Sequence, residues 1–454
     1  MPKILLSLLL ISLLSACVTQ PEKTKIPSIT QDVVFSAPIQ STAISTTPWW
    51  LTALDARMQE HVSALLEGNL EIQHAISQVA IDRAKLNQAE AIRWLDIKGN
   101  AQSAINRNDS DNSDTHSIGV NASLPLDLFD RLAKSRDAAS YDLAQSLAKL
   151  ENQRLQSIQK YLLALIDGSE AVQLQSLLNQ QIKTAETLLR LTEFRFSQGL
   201  ASSVDVLQQR EQLASLKQQI PGIALQQHIF GNLMSEFLGN TPTSRIKFPH
   251  KLPQIKDAYA ISTPQQLLDH RPDLIAQRAA LSAADQRYEA ALRERLPSLS
   301  LNSSALLRLA SGNPSAILGA AIDASLTLFD SGALNATIAQ QNAALEQSGI
   351  EYLQAWLSAV RETDDLINSL TTNKLQLQNS NNLGQIAGEL FEAAQHRYKR
   401  GISDYLPVLA ALRSLQQQQR DHLSLQAEQQ RIRVKLHTAM GLPVNKQKTF
   451  KEKP

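Results

Sequence analysis

Between Arg131 and Ser197 the sequence contains no proline and a single glycine, Gly168. Proline and glycine are the residues that interrupt helices, so this stretch predicts one continuous helix. At ~1.5 Å per residue it would reach about 100 Å, beyond the diameter of a compact domain. A chain of 454 residues therefore cannot be read here as a row of ordinary domains of roughly 150 residues. In a second long stretch Leu353, Trp356, Val360, Thr363, Ile367 and Leu370 step by alternating threes and fours, the spacing of a coiled-coil seam. Ile158, Leu162 and Leu165 do likewise. The other faces carry Gln, Asn, Ser and Ala, as expected of helices that touch partners on two sides and water on another. Aromatic residues at 5%, with 16 Gly and 17 Pro, agree with long helices and few turns.

The two long stretches are copies of one another. Sliding the chain against itself gives matches at an offset of 202 residues. Glu71-Ile72 falls on Asp273-Leu274, Arg93 on Arg295 and Ile97 on Leu299. Arg195-Phe196-Ser197-Gln198-Gly199-Leu200 falls on Arg397-Tyr398-Lys399-Arg400-Gly401-Ile402, then Val206-Leu207 on Val408-Leu409 and Leu238-Gly239 on Met440-Gly441. Leu128-Phe129-Asp130 matches Leu328-Phe329-Asp330 at offset 200, the intervening loop being shorter by two. So long a period signals a duplicated half rather than a solenoid.

Each half opens with a helix, Asn69 to about Ile92 and Pro272 to about Arg293, and then changes to the alternation of strands. The expected strands are about Leu95 to Arg107 and Ser117 to Leu128, joined by the polar loop Asn108 to Asp114. In the second half they are about Pro297 to Leu309 and Ala316 to Leu328, joined across Ser311-Gly312-Asn313-Pro314. One face is apolar or small (Ile97, Gly99, Ala101, Ile105, Leu299, Leu301, Leu307) and the other carries Lys98, Asn100, Asn302 and Ser304. Four strands cannot close a barrel and open edges are not tolerated in lipid, so membrane use requires oligomerisation. Each long helix ends at a glycine-bearing break, Gly199 or Gly401, where the chain reverses.

The amino terminus reads as an address. Lys3, an apolar run from Ile4 to Leu14 and the small-residue triplet Leu14-Ser15-Ala16 precede Cys17, the only cysteine. The run is too short to span a bilayer, which takes about 20 residues. The pattern resembles a lipobox, which implies a signal peptide over 1–16 and a lipid on Cys17, with Val18 directing the product to the outer membrane. Pro21, Pro27, Pro38 and Pro48 make the following segment an extended tether. The organisation expected is 17–68 anchor, tether and a further segment; 69–240 first repeat; 241–270 linker; 271–442 second repeat; and 443–454 tail.

Composition and motifs narrow the function. With 44 Lys+Arg against 43 Asp+Glu there is no basic excess for nucleic acid. The nine histidines show no His-x-x-x-His pair, and no Gly-x-Ser-x-Gly elbow, phosphate loop or dinucleotide fingerprint occurs. The acidic run Glu362, Asp364, Asp365 on one helix reads as a solvated face rather than an acid/base pair. An enzyme is not expected, and neither is a cofactor beyond the lipid on Cys17.

The duplicated halves, Arg271-Pro272-Asp273-Leu274, the two Leu-Phe-Asp triplets, Pro297-Ser298-Leu299-Ser300-Leu301, Val360 to Leu366 and the Arg-(Phe/Tyr)-x-x-Gly tips resemble the outer-membrane efflux protein family. These TolC-like proteins include a NodT-type lipoprotein branch that serves resistance-nodulation-division pumps. The resemblance spans about Trp49 to Leu442. It implies a mainly α homotrimer in which four strands per chain complete a twelve-stranded outer-membrane β-barrel above a periplasmic α-helical barrel. It also implies that the segment ahead of residue 69 and the linker 241–270 are equatorial. It further implies a passive duct in the outer membrane, lipid-anchored and extending into the periplasm. That duct would carry drugs or small toxic compounds and meet a periplasmic adaptor and an inner-membrane pump.

By the same resemblance Arg195, Phe196, Gly199, Leu200, Arg397, Tyr398, Gly401 and Ile402 form the periplasmic tips and the adaptor-docking surface. Tyr398 and Arg397 would hold the tips closed by cross-helix contacts, although Arg195 and Arg397 could equally snorkel at the surface. Asp205 stands at a family-like gate position and Asp404 is a substitute candidate; a ring of such aspartates would attract cations. Pro407 and Ala410 depart from the acidic pattern. Alternatives within the fold are type I protein secretion and metal-cation export. Outside it stands a coiled-coil adaptor or scaffold, which would lack the two strand pairs.

Overall fold

The computed structural model describes residues 23, 34–36, 48–108, 111–242, 246–257, 263–310 and 313–441. Cys17 and the tail from 442 lie outside the described residues. In chain order the elements are α1 (Trp49–Ala53), α2 (Ala56–Gly68), α3 (Leu70–Ala91), β1 (Asp96–Asn108), β2 (Asp111–Leu126), α4 (Arg131–Ser197) and α5 (Ser203–Phe237). Then follow α6 (Pro264–His270), α7 (Pro272–Arg293), β3 (Ser298–Ala310), β4 (Asn313–Ser325), α8 (Ala333–Lys399) and α9 (Leu406–Ala439). The chain forms two units, one made of residues 1–29, 81–145 and 277–354, the other of 30–80, 146–276 and 355–454.

The first unit contains one antiparallel sheet in the order β1-β2-β3-β4, so the hairpins of the two repeats join through β2 and β3. Pairing runs in continuous register: Gly99 opposite Val120, Val120 opposite Ala305, Ala305 opposite Leu318. Because side chains alternate across a strand, that register puts Ile97, Ala101, Ile118, Val120, Leu301, Leu307, Leu309, Leu318 and Ile322 on one face. Lys98, Asn100, Gln102, Asn121, Ser304, Arg308 and Asp323 fall on the other. Polar residues on the apolar face include Ser103 and His116, which pair with each other, His116 Nδ1 lying 3.0 Å from Ser103 Oγ. From Leu299 to Leu309 the apolar face runs about 33 Å along the strand. At the tilt of barrel strands this is about 25 Å of height, the thickness of an outer-membrane apolar band.

The strand ends differ from expectation. The loop expected over Asn108 to Asp114 is mostly strand, since β2 starts at Asp111 and pairs it with Asn108. Ladder hydrogen bonds there prevail over the turn preference of a polar run. At the other end β2 stops at Leu126 and β4 at Ser325, short of the Leu-Phe-Asp triplets. Carboxylates take the chain instead: Asp127 accepts from the backbone N–H groups of Leu132 (3.0 Å) and Ala133 (2.7 Å) and starts α4. Asp330 accepts from Gly332 (2.9 Å) and Leu334 (2.7 Å) and starts α8. Leu128, Phe129, Leu328, Phe329 and Trp94 are left exposed at the foot of the sheet. Beside it α7 packs on α8 through Tyr288, Ala291, Ile338 and Leu345.

In the second unit the largest core gathers Trp49, Val62 and Leu65 of the N-terminal helices with Leu155, Ile158, Tyr161 and Leu162 of α4 and Val434 of α9. Trp356, Thr363, Ile367 and Leu370 are buried, as the seam spacing requires. The duplication also appears in the joints. Asn69 donates from Nδ2 to the carbonyl of Phe237 at the end of α5 (2.9 Å). Arg271, 202 residues on, donates to the carbonyl of Ala439 at the end of α9 (3.0 Å). Arg271 is buried and is further held by Asp273 (2.8 Å) and Glu362 (2.9 Å). The acidic run on α8 is therefore not merely a solvated face, because Glu362 closes this joint.

Gly168 has a spatial reason. A Cβ there would lie 2.0 Å from the ring of Phe248, whose segment, residues 246–257, packs against the core. Gly168→Ala expels that part-buried ring at a cost below the ~3–5 kcal/mol of losing a fully buried aromatic, and raises proteolysis within 246–257. In a Phe248→Ala background the same substitution adds little, so the two changes are strongly non-additive in a double-mutant cycle.

His437 yields a second expectation. It is buried, stacked on Trp49 at 4.8 Å and 7° between planes, with Nε2 3.0 Å from the Lys256 carbonyl. Burial pushes its pKa down to about 4. The folded state therefore binds fewer protons than the unfolded one between about pH 6.5 and 4. Stability falls as pH drops through that window and levels off below it. His437→Gln flattens this slope in thermal melts followed by helical circular dichroism, while lowering the midpoint at pH 7.

Candidate functional site

The helix reversals are built as two Schellman turns. Gly199 has φ +71° and Gly401 φ +75°, a region where a side chain would be strained. Leu200 N–H donates to the Arg195 carbonyl at 2.8 Å and Gly199 N–H to Phe196 at 3.0 Å. Ile402 and Gly401 repeat this toward Arg397 and Tyr398, both at 2.9 Å. Each residue of the repeated Arg-(Phe/Tyr)-x-x-Gly-(Leu/Ile) block thus has its place in one motif: Arg and Phe/Tyr offer the carbonyls, Gly supplies the left-handed turn.

One arginine ties the two tips together. Arg195 Nη1 donates to the Tyr398 carbonyl at 2.9 Å, and its guanidinium sits 4.5 Å from the centre of the Tyr398 ring. Tyr398 meets Tyr405 edge to face at 5.7 Å. The Tyr405 hydroxyl donates to Gln209 Oε1, and burial raises its pKa, which keeps it a donor. Leu188, Ala394, Val408, Leu409 and Leu412 complete this small core. Arg397 does not share the role expected of it. Its side chain is exposed, with no hydrogen bond or ion pair among the described residues, and the cross-tip contact belongs to Arg195.

The two gate candidates differ. Asp205 is committed to a capping box, accepting from Ser202 N–H at 2.9 Å while Ser202 Oγ accepts from Asp205 N–H at 3.2 Å. Asp404 is exposed. In the second tip the box is replaced by Pro407 in the first turn of α9, where a missing N–H costs nothing. The acidic pattern and the proline are thus two solutions to one helix start.

Around the tips Phe194, Phe196, Leu200, Val204, Leu207, Ile402 and Leu406 are all exposed, each by 48% or more. A concentration of apolar side chains on the surface marks a partner site. Above this zone the helices meet through amides. Gln181, Gln209, Gln212, Gln416 and Gln418 are buried. Gln212 donates to Gln416 Oε1 at 2.9 Å, Gln181 to Gln419 Oε1 at 3.0 Å, and Arg413 Nε to Gln212 Oε1 at 2.7 Å. Sequence reading assigned glutamine to the outer faces; in the structure it also fills the seam between the hairpins.

Further contacts had no signal in the sequence. Lys23, in the expected tether, pairs with Asp285 at 2.5 Å, and Ser36 donates from N and Oγ to Asp364 at 2.7 Å. Among the described residues no helix is long and apolar enough to cross a membrane, and no group of His, Cys, Asp and Glu is arranged to hold a metal.

A sheet with one apolar face, feeding pairs of very long antiparallel helices, defines the class of outer-membrane channels. The fold superposes on the open-state MtrE outer membrane channel of Neisseria gonorrhoeae with a TM-score of 0.81, covering 95% of this chain and 99% of that one at 21% identity. The model of the outer membrane efflux protein family matches residues 61–240 and 263–442, and the chain belongs to that family. It is an outer-membrane efflux channel protein. Its relatives include Toxin and drug export protein A of Aggregatibacter actinomycetemcomitans, 23% identical over 80% of this chain and 81% of that one. Cation efflux system protein CusC of Escherichia coli O157:H7 is 26% identical over 87% of each.

Removing the tie between the tips has a measurable effect. Arg195→Ala deletes a charged donor worth about 1.5–3 kcal/mol. Amide exchange in residues 195–203 and 397–405 should rise by about tenfold or more, a factor that corresponds to 1.4 kcal/mol, with exchange in the α2 core unchanged.

Proposed function

We propose that the chain is the outer-membrane duct of a tripartite efflux system, working as a homotrimer that carries small toxic compounds outward. The observation that carries this reading is the sheet: four antiparallel strands, one apolar face of bilayer height, and unpaired edges on β1 and β4. Edges of that kind need partners in lipid, and closure by β1 of the next copy against β4 supplies them without any new element. Three copies give twelve strands, an even number within the range of such barrels.

The exposed apolar tips are the surface for a periplasmic adaptor, which would link the duct to an inner-membrane pump of the resistance-nodulation-division type. Such a pump supplies the energy and most of the selectivity; the duct itself performs no chemistry and needs no cofactor. Cys17 would carry the lipid that anchors each copy to the outer membrane, where barrel and lipid act together as two membrane contacts. A relative named for toxin and drug export and one named for cation efflux stand at similar identity. Small organic toxic compounds remain the reading adopted, since the sequence holds only four methionines and no histidine pair at metal-ligand spacing.

Protein extracted in detergent from outer membranes should have the mass of a trimer and appear in negative stain as a tube well over 100 Å long, given α4 and α8 of 67 residues each. A compact or monomeric particle would overturn the reading. Ser403→Arg, which places a bulky charge among the apolar tip residues, should keep the trimer and lose adaptor co-purification and drug resistance. Unaltered susceptibility would remove the docking surface from the tips.

A further inference from the structure

Among the described side chains the polar face of the sheet holds few charges. Asp96 and Lys98 neutralise each other at 2.7 Å. Asp323 accepts from the Asn302 side-chain amide. Arg308 differs: it stands in a row with Gln102, Ser117 and Ser315, two residues from the hairpin tip of β3 and β4, exposed and without an acidic partner among the described residues. In the next row toward the helices the polar pattern breaks. Leu306 pairs with Ile317, and Leu306 lies over Gly119, where a Cβ would come within 2.9 Å of its Cδ1. A cation with no acidic partner among the described residues, one row from an apolar ledge, is the chemistry that holds an anion with an apolar body.

We propose that Arg308, Leu306 and Ile317 form a resting site for amphipathic organic anions in the outer half of the duct. The inference rests on the trimeric barrel proposed above, in which the polar face lines the lumen and three copies of Arg308 share one level. The row of Asp323 does not cancel it. Asp323 pairs with Ser300, eight residues along β3 from Arg308, or about 26 Å. That is roughly three Debye lengths at physiological salt.

The test uses Ser315→Cys, directly opposite Arg308, labelled from outside intact cells with an anionic and a cationic thiosulfonate of similar size. Cys17 is the only other cysteine, and the parent chain gives the background. The anionic-to-cationic rate ratio should be roughly fivefold higher with Arg308 than with Arg308→Gln at ~10 mM ionic strength, and the difference should vanish in ~1 M salt. Octanesulfonate should slow labelling while methanesulfonate at equal concentration does not, and Leu306→Asn should abolish that protection. A ratio unaffected by Arg308→Gln overturns the proposal, as does equal protection by both sulfonates. Ala316→Cys, on the opposite face of β4, is the control for the barrel itself. If it reacts as fast as Ser315→Cys, the closed barrel fails, and that outcome is distinguishable from a failure of the charge.

Discussion

A strand edge surrounded by hydrocarbon leaves N–H and C=O groups with nothing to bond, at several kcal/mol for each group. β1 and β4 both present such an edge, and the rest of the molecule is organised around that debt. The internal duplication supplies two hairpins, and their union through β2 and β3 halves the number of open edges per chain from four to two. Register then decides which face meets lipid. A slip of one residue between β2 and β3 would turn Leu301, Leu307 and Leu309 to the polar side, and the twelve pairs from Thr115 with Ala310 to Leu126 with Leu299 hold it. The membrane part of the protein is thus specified by backbone pairing and a period of two, with very little tertiary core.

The helical unit solves the opposite problem. A helix satisfies its own backbone, so only its ends and faces need partners, and the two halves have diverged in how they supply them. Asn69 and Arg271 perform the same joint with an amide and a guanidinium. The arginine has more donors than the Ala439 carbonyl can use, and Asp273 and Glu362 take the remainder. Asp205 and Pro407 start equivalent helices by a capping box and by a missing donor. Such pairs show the duplication persisting in geometry after the side chains have changed.

Much of this was legible in the sequence. The extent of α4, Arg131–Ser197, follows from the absence of breakers, and α7, Pro272–Arg293, from proline at its start and the change of period at its end. Gly199 and Gly401 were readable as reversals because the left-handed region is nearly exclusive to glycine. The partners were not readable. Arg195 bonds a backbone carbonyl, and carbonyls leave no mark on a sequence. Phe248 fills a notch at Gly168 from a segment with no periodicity of its own. Asp127, rather than Asp130, caps α4, since several acidic residues stood within reach and only the chain path selects one. Glutamine was misplaced in part because its side chain suits both water and a buried amide ladder, and periodicity cannot tell the two apart.

That ladder bears on how the helical part distributes its stability. Burying a leucine contributes about 1.5–3 kcal/mol, whereas a hydrogen bond between buried amides contributes about 1 kcal/mol net. Opened to water, such amides exchange one set of hydrogen bonds for another, while an opened leucine seam gains nothing. Apolar cores lie at the tips, around Tyr398 and Tyr405, and among Trp49, Tyr161 and Val434, while Leu178, Leu216 and Ile223 pack α4 on α5 within one hairpin. Between them the hairpins α4–α5 and α8–α9 are joined by Gln181, Gln212, Gln416 and Gln419. The contacts that separate at least cost are therefore in the middle of the seam. The tip is held by a compact aromatic cluster, the Arg195 tie and the Tyr405–Gln209 hydrogen bond, so a partner that displaces Arg195 from the Tyr398 carbonyl removes one polar restraint at the tips, while the ion pairs of Arg413 with Glu211 and of Arg431 with Asp167 still join the hairpins further along.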